Sequence, residues 1–217
     1  MQTSAAFFDV DETLITVKSM FDFYDFWCSE NNEYDKLESY MTHFRSAVKN
    51  GTPREQLNRE YYRQFSGVNY KDLEEAGENW FRAKNLDSGL FISSAVAALK
   101  KHQADKMFIV FISGSMRPVL SPVANYLGVT DILCAPLELT SEGIITGEIG
   151  TPQTIGSGKK EALINFCSQK KISTADCYAY GDDLSDIPML ESVGYPVCVG
   201  KHTELARHAI NQRWSVI

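Results

Sequence analysis

Hydrophobic and polar positions divide this chain into three textures. Residues 5–8 form an uninterrupted apolar run that stops at Asp9, Asp11 and Glu12, three acids within four positions. A run this short, bounded by polar residues, predicts a buried strand. From 19 to about 84 nothing alternates at period two, and apolar residues recur at helical spacing instead. Ser19 stands where it would cap a helix carrying Met20, Phe23, Tyr24 and Trp27. A second helix is expected over 35–48, ended by Asn50-Gly51. Thr52-Pro53-Arg54-Glu55 reads as a capping box with proline at the first helical position, opening a helix with Leu57, Tyr61 and Phe65 on one face. A fourth helix is expected over 72–83, around Leu73, Ala76, Trp80 and Phe81.

Beyond residue 87 strands and helices alternate. A helix over 91–101 precedes the apolar strand 107–112, and a helix over 117–126, closed by Gly128, precedes a short strand at 132–135. Residues 137–139 and 144–146, joined through Ser141-Glu142-Gly143, read as a β-hairpin. A helix opens at Gly156-Ser157-Gly158 with Leu163, Ile164 and Phe166 inward. Strands at 177–180 and 197–200 and a helix over 202–211 follow. The alternation predicts an α/β fold, a Rossmann-like parallel sheet with helices on both faces. An all-helical insert interrupts it after the first strand. Residues 1–16 and 87–217 would form the core and 17–86 a helical cap.

The length, 217 residues, suits one large domain or a domain with a smaller insert. With 44% hydrophobic and 23% charged residues, the composition is that of a soluble globular protein. A net charge of -7 argues against nucleic-acid and anionic-membrane partners, which call for basic patches. No apolar stretch approaches the roughly 18 residues of a membrane span, and no basic segment leads into an apolar one at the N-terminus. A cytoplasmic protein is the expectation. The five cysteines form no CxxC pair and lie mostly in apolar runs, as small reduced core residues do.

The candidate chemistry lies where strands end. Asp9 and Asp11 are two apart, so an extended chain directs both carboxylates to one face. Ligands of parallel α/β sheets bind beyond the carboxyl ends of the strands. The second long strand ends in Ser113-Gly114, a later one in Gly181-Asp182-Asp183-Leu184-Ser185-Asp186, and Lys159 opens a helix. Parallel strands would gather all of these at one rim. Adjacent carboxylates repel, which raises the pKa of one and favours a divalent cation between them. Acids, a cation, a hydroxyl and a helix start are the parts of metal-assisted phosphoryl transfer.

Those motifs, in that order, resemble the signature of the haloacid dehalogenase (HAD) superfamily of aspartate-nucleophile phosphatases. Asp9-Val10-Asp11-Glu12-Thr13 matches its DxDxT motif, Ser113-Gly114 its second motif, Lys159 its third, and the Gly181 to Asp186 segment its GDxxxD motif. The resemblance covers nearly the whole chain, identifies the insert as a C1 cap, and is greatest to the phosphoserine-phosphatase-like branch, subfamily IB. It implies that Asp9 attacks phosphorus and forms an aspartyl-phosphate. Asp11 would protonate the leaving oxygen, then take a proton from water. Ser113 and the Gly114 N–H, at a helix start, would hold phosphate oxygens, and Lys159 would neutralise the charge. The resemblance further implies Mg²⁺ on Asp9, the backbone carbonyl of Asp11, and Asp182, with Asp183 and Asp186 orienting the lysine or metal-bound water.

The chain departs from the common GDGxND form by carrying Asp183 and Ser185. Phosphoserine phosphatases place a glutamate nine residues after the nucleophile to receive the substrate ammonium, and here that position is Lys18. Weak or no phosphoserine turnover is therefore expected, with Lys18 offered instead to a carboxylate or a second phosphate. The aromatics of the first cap helix lie on more than one face, so one face is expected to pack within the cap. Another could line an apolar pocket for an organic leaving group. Arg54, Arg59 and Arg63, at roughly helical spacing, could reach an anion but read first as an exposed charged stripe. The expected function is Mg²⁺-dependent hydrolysis of a small organic phosphate. A phosphotransferase or phosphomutase using the same covalent step, or a non-catalytic phosphate-binding module, stands as the alternative.

Overall fold

A computed structural model of the chain describes residues 2–84 and 89–217. Among these the strands are β1 (Ala5–Phe8), β2 (Phe108–Met116), β3 (Asp131–Ala135), β4 (Leu137–Leu139), β5 (Ile145–Ile149), β6 (Tyr178–Gly181), β7 (Tyr195–Cys198) and β8 (Ser215–Val216). Six make one sheet in the order β3-β2-β1-β6-β7-β8, and every pairing in it is parallel. β4 and β5 form the expected antiparallel hairpin.

β1 lies between β2 and β6, with Ala6 opposite both Ile109 and Tyr178. A central parallel strand is covered on both faces, which is why it is apolar at every position rather than alternately. Its four residues are fully buried, and their parity divides them. Ala6 and Phe8 join one apolar cluster, Ala5 and Phe7 the other. The chain thus has the predicted α/β architecture, with helices packed on both sides of the sheet.

Helices α1 (Ser19–Glu30), α2 (Tyr34–Lys49), α3 (Arg54–Arg63) and α4 (Tyr70–Ala83) occupy the stretch expected for the insert. Phe23, Tyr24, Tyr61, Phe65 and Trp80 are fully buried among them, with Phe23 edge-on to Trp80 at 6.2 Å and Tyr24 edge-on to Phe65 at 5.7 Å. The boundary expected at 86/87 falls outside the described residues. In the rest of the chain α5 (Ser93–Ala104), α6 (Arg117–Leu127), α7 (Ser157–Lys170), α8 (Ile187–Leu190) and α9 (Glu204–Gln212) pack around the sheet. Gly128 ends α6 in the left-handed conformation, as expected.

Several local expectations are corrected. Ser19 is the first residue of α1 rather than its cap, and its hydroxyl donates instead to Ser115 Oγ at 3.0 Å. The capping box at 52–55 does not form: Thr52 N–H closes α2 by bonding Ala47 C=O at 3.0 Å, and Pro53 takes the cap position without a side-chain bond. The exposed stripe is present at Arg54 and Arg63, with Arg59 half-buried, but each of the three arginines has a partner. Arg54 pairs with Asp183, Arg59 donates to Ile149 C=O at 3.0 Å, and Arg63 reaches Glu148 at 3.0 Å. All three tie α3 to the rest of the chain. The five cysteines are free and largely buried, as expected. No helix among the described residues is long and apolar enough to cross a membrane.

Candidate active site

Asp9 follows β1 directly, and its N–H donates to Tyr180 C=O at 3.0 Å, which continues the ladder one residue and fixes Asp9 at the carboxyl edge. The chain then turns sharply. Val10 C=O accepts from Thr13, Leu14 and Ile15 N–H at 3.3, 2.9 and 3.0 Å, with Glu12 at φ +56°. This turn carries Asp11 over the same edge as Asp9.

β6 delivers Asp182 to that edge, and the chain after it folds back in a 3₁₀ turn. Asp183 caps the turn by accepting from Ser185 N–H, while Asp186 Oδ2 accepts from the N–H groups of Asp182 and Asp183 at 3.3 and 3.4 Å. Asp186 crosses directly over Gly181, where an added Cβ would lie 2.6 Å from Oδ2. Only glycine leaves that space.

Lys159, in the first turn of α7, joins these groups. Its Nζ lies 2.8 Å from Asp9 Oδ1 and 2.7 Å from Asp186 Oδ1. The lysine is 5% exposed, Asp9 7% and Asp186 1%, so this triad is shielded from water. Lys160 is exposed, which separates the two adjacent lysines. Asp186 thus makes two kinds of contact, one to the lysine and one that closes the turn.

One cation faces several acids, and the electrostatics reflect it. Burial raises the Asp9 pKa well above the ordinary carboxylate range. Lys159 pulls it back, and Asp186 and Asp182 push it up again. Burial raises Asp11 to about 6, with Ser19 beside it pulling the other way. Asp182 is raised to about 6, chiefly by burial, against the hydrogen bond from Thr13. Burial alone would lower Lys159, but Asp186 and Asp9 more than offset that and raise it.

A hard cation fits this donor set. One carboxylate oxygen from each of Asp9, Asp182 and Asp186 lies within 4.8 Å of the others. Both Asp186 oxygens are engaged, by Lys159 and by the two backbone N–H groups. Asp9 uses Oδ1 for Lys159, and Asp182 uses Oδ1 for Thr13 at 2.8 Å. No described residue donates to the second oxygen of either. Asp9 and Asp182 are therefore the better ligands of the three. Asp11 Oδ1 is buried without a hydrogen-bond partner, an unmet polar atom beside the nucleophile candidate.

Ser113 and Gly114 line the same cavity, of about 420 Å³. Ser113 Oγ accepts from Ser115 N–H at 3.1 Å, so its own proton remains available to an oxygen in the cavity. These residues are not at a helix start as expected. β2 runs on through Met116, and α6 begins only at Arg117. The Gly114 carbonyl is held from the insert by Asn58 at 3.0 Å and Tyr62 at 2.5 Å.

Lys18 lies at the cavity rim, where it pairs with Glu12 at 3.2 Å. Met20 and Phe21 line the cavity while Phe23 and Tyr24 are buried within the insert, so the two-faced reading of the first helix holds. The sequence reasoning passed over Asn58 and Tyr62, read Ser19 only as a helix cap, and gave Thr13 no role beyond its place in the motif. Thr13 stood within the first motif, and Asn58 was a lone amide beside Leu57 on an otherwise apolar face.

The sequence profile of the haloacid dehalogenase-like hydrolases matches residues 6–191. The chain is 26% identical to the "inhibition of morphological differentiation protein" of Streptomyces azureus, over 99% of this chain and 78% of that one. It is 25% identical to a "probable phosphatase" of Mycobacterium tuberculosis, over 99% and 75%. Among solved structures, a protein of unknown function from Bordetella pertussis superposes with a TM-score of 0.89 at 21% identity, covering 100% of this chain and 99% of that one. A phospho-aspartyl intermediate analogue of phosphoserine phosphatase superposes with a TM-score of 0.66 at 16% identity, over 100% and 93%.

Proposed function

We propose that this chain, which belongs to the haloacid dehalogenase-like hydrolase family, is a phosphomonoesterase that works through an aspartyl-phosphate on Asp9. The observation that carries the reading is the buried Asp9–Lys159–Asp186 triad at 2.8 and 2.7 Å, opening into the cavity that Asp11, Asp182 and Ser113 also line. The relative described as a probable phosphatase supports the same class of reaction.

In this reading Asp9 attacks phosphorus as the bond from phosphorus to the ester oxygen breaks. Lys159 favours the ionised form of Asp9 and opposes the burial that raises its pKa, without cancelling it. Asp11, whose pKa near 6 keeps far more of it protonated than an ordinary aspartate, gives its proton to the leaving oxygen. As a carboxylate it then takes a proton from the water that attacks the aspartyl-phosphate. Phosphate leaves and Asp9 is restored. Ser113 donates to a phosphoryl oxygen, Lys159 offsets the charge gathered there, and Asp186 fixes the lysine. Magnesium, held by Asp9, Asp182 and the Asp11 backbone carbonyl, would supply positive charge to the phosphoryl oxygens when bound. Asp183 has a positioning part, capping the turn that sets Asp182 and Asp186. We extend the proposal to substrate choice: with Lys18 in place of the expected glutamate, phosphoserine is a poor substrate.

The test is hydrolysis of p-nitrophenyl phosphate, followed by both the phenol and the inorganic phosphate released. Turnover should need Mg²⁺ and fall about 100-fold or more with a chelator. Independently of turnover, Mg²⁺ should raise the Tm of the free protein, and Asp182→Asn should abolish that rise. No turnover with Mg²⁺ present, or turnover and Tm both indifferent to chelator, would overturn the reading.

A further inference from the structure

Six of the side chains lining the active-site cavity are apolar, and the charged groups outside the reaction centre are already matched. The six are Met20, Phe21, Phe44, Val48, Leu57 and Ile155. Ile155 lies beside Gly114, and Val48, near the end of α2, is 52% exposed. Phe21 and Phe44 meet edge-on at 4.8 Å. Apart from the groups assigned to the reaction, the cations lining the cavity are Lys18 and Arg54, and the acids are Glu12 and Asp183. They are paired Lys18 with Glu12 and Arg54 with Asp183. An ammonium or carboxylate on the leaving group finds no opposite charge among these four groups that lacks a partner. An apolar body meets side chains that gain by losing water.

From this geometry we infer that the substrate is the phosphate monoester of an alcohol with an extended, uncharged hydrophobic body. The inference rests on the phosphomonoesterase reading and names its substrate class. The phosphate lies against Ser113, Gly114 and Lys159, and the hydrophobic body lies along Phe21 and Phe44 toward Val48. Hydrolysis releases inorganic phosphate and the free alcohol, so the reaction that supplies the substrate is one that phosphorylates, or releases already phosphorylated, a lipophilic alcohol.

The experiment is a series of alkyl phosphates from ethyl to octyl, kept below their aggregation concentrations, with O-phosphoserine and phosphoethanolamine alongside. The kcat/KM should rise roughly 3-fold for each of the first few methylenes. Octyl phosphate should exceed both charged esters by about 100-fold. Val48→Asp and Phe44→Asp should each lower the octyl-to-ethyl ratio, a quantity that a change in the amount of folded protein does not move. A flat series, or preference for a charged ester, with p-nitrophenyl phosphate still hydrolysed, overturns the inference and leaves the phosphomonoesterase reading standing. Failure to hydrolyse any ester overturns both.

Discussion

Asp9→Asn is expected to lower phosphate-ester hydrolysis by about 10⁴-fold or more, with a Tm equal to or above that of the parent. The amide cannot attack phosphorus, so the covalent step is lost outright. Stability moves the other way because of how the site is charged. Asp9 is buried against one lysine with Asp186 and Asp182 close by, and its carboxylate is disfavoured enough that its pKa lies well above the ordinary value. In a fold with a raised carboxylate pKa, stability falls as pH rises through that pKa, because the unfolded chain gives up the proton first. Asparagine removes the charge while leaving Lys159 its partner in Asp186. The gain in Tm should therefore be larger at pH 8 than at pH 5. Rate assays and thermal denaturation at the two pH values check both halves. Parent-like turnover would end the nucleophile assignment.

Lys159→Met should lose activity and stability together. Both of its partners remain buried, Asp9 at 7% and Asp186 at 1% exposure, now without the cation that bridged them. Breaking a buried pair from one side costs about 3–5 kcal/mol. For a chain of this length that is a drop in Tm of roughly 10 °C. The deficit should shrink as pH falls, since Asp9 can take up a proton and remove the uncompensated charge. Thermal denaturation between pH 5 and 8 measures this. A Tm within 2 °C or so of the parent throughout that range would show that the lysine is not the counter-charge we take it to be. Lys160→Met, at the exposed neighbour, is the matched control.

Much of the frame could be read from the chain because parallel strands buried on both faces need unbroken apolar runs. Such runs at 5–8 and 107–112 announce themselves, and polar residues must follow them at the rim. The sequence favoured Lys159 over Lys160 only through the family pattern of Gly158 before it and Leu163 four residues on, and left the choice open; burial of Lys159 beside exposed Lys160 is what separates them. Some of what escaped the reading had distant partners. A serine before a helix favours local capping, yet Ser19 bonds Ser115, ninety-six positions away. Thr52 looked like the start of a helix and instead serves the end of the previous one. The arginines of α3 seemed solvated because β5 and Asp183 are remote in sequence. β8, two residues long, carries too little pattern to be seen at all.

The carbonyl of Gly114 accepts hydrogen bonds from both Asn58 and Tyr62, which tie the insert directly to the phosphate-facing strand end, while Arg59 and Arg63 tie it to β5. The ion pairs nearby, Lys18 with Glu12 and Arg54 with Asp183, are half exposed and hold little. A swing of the insert wide enough to admit an ester must break the two bonds at Gly114, and in doing so it unclamps that strand end. Admission of the ester and escape of the freed anion thus share one consequence, the loosening of a phosphate-facing strand end steadied by an amide and a phenol that take no part in the chemistry.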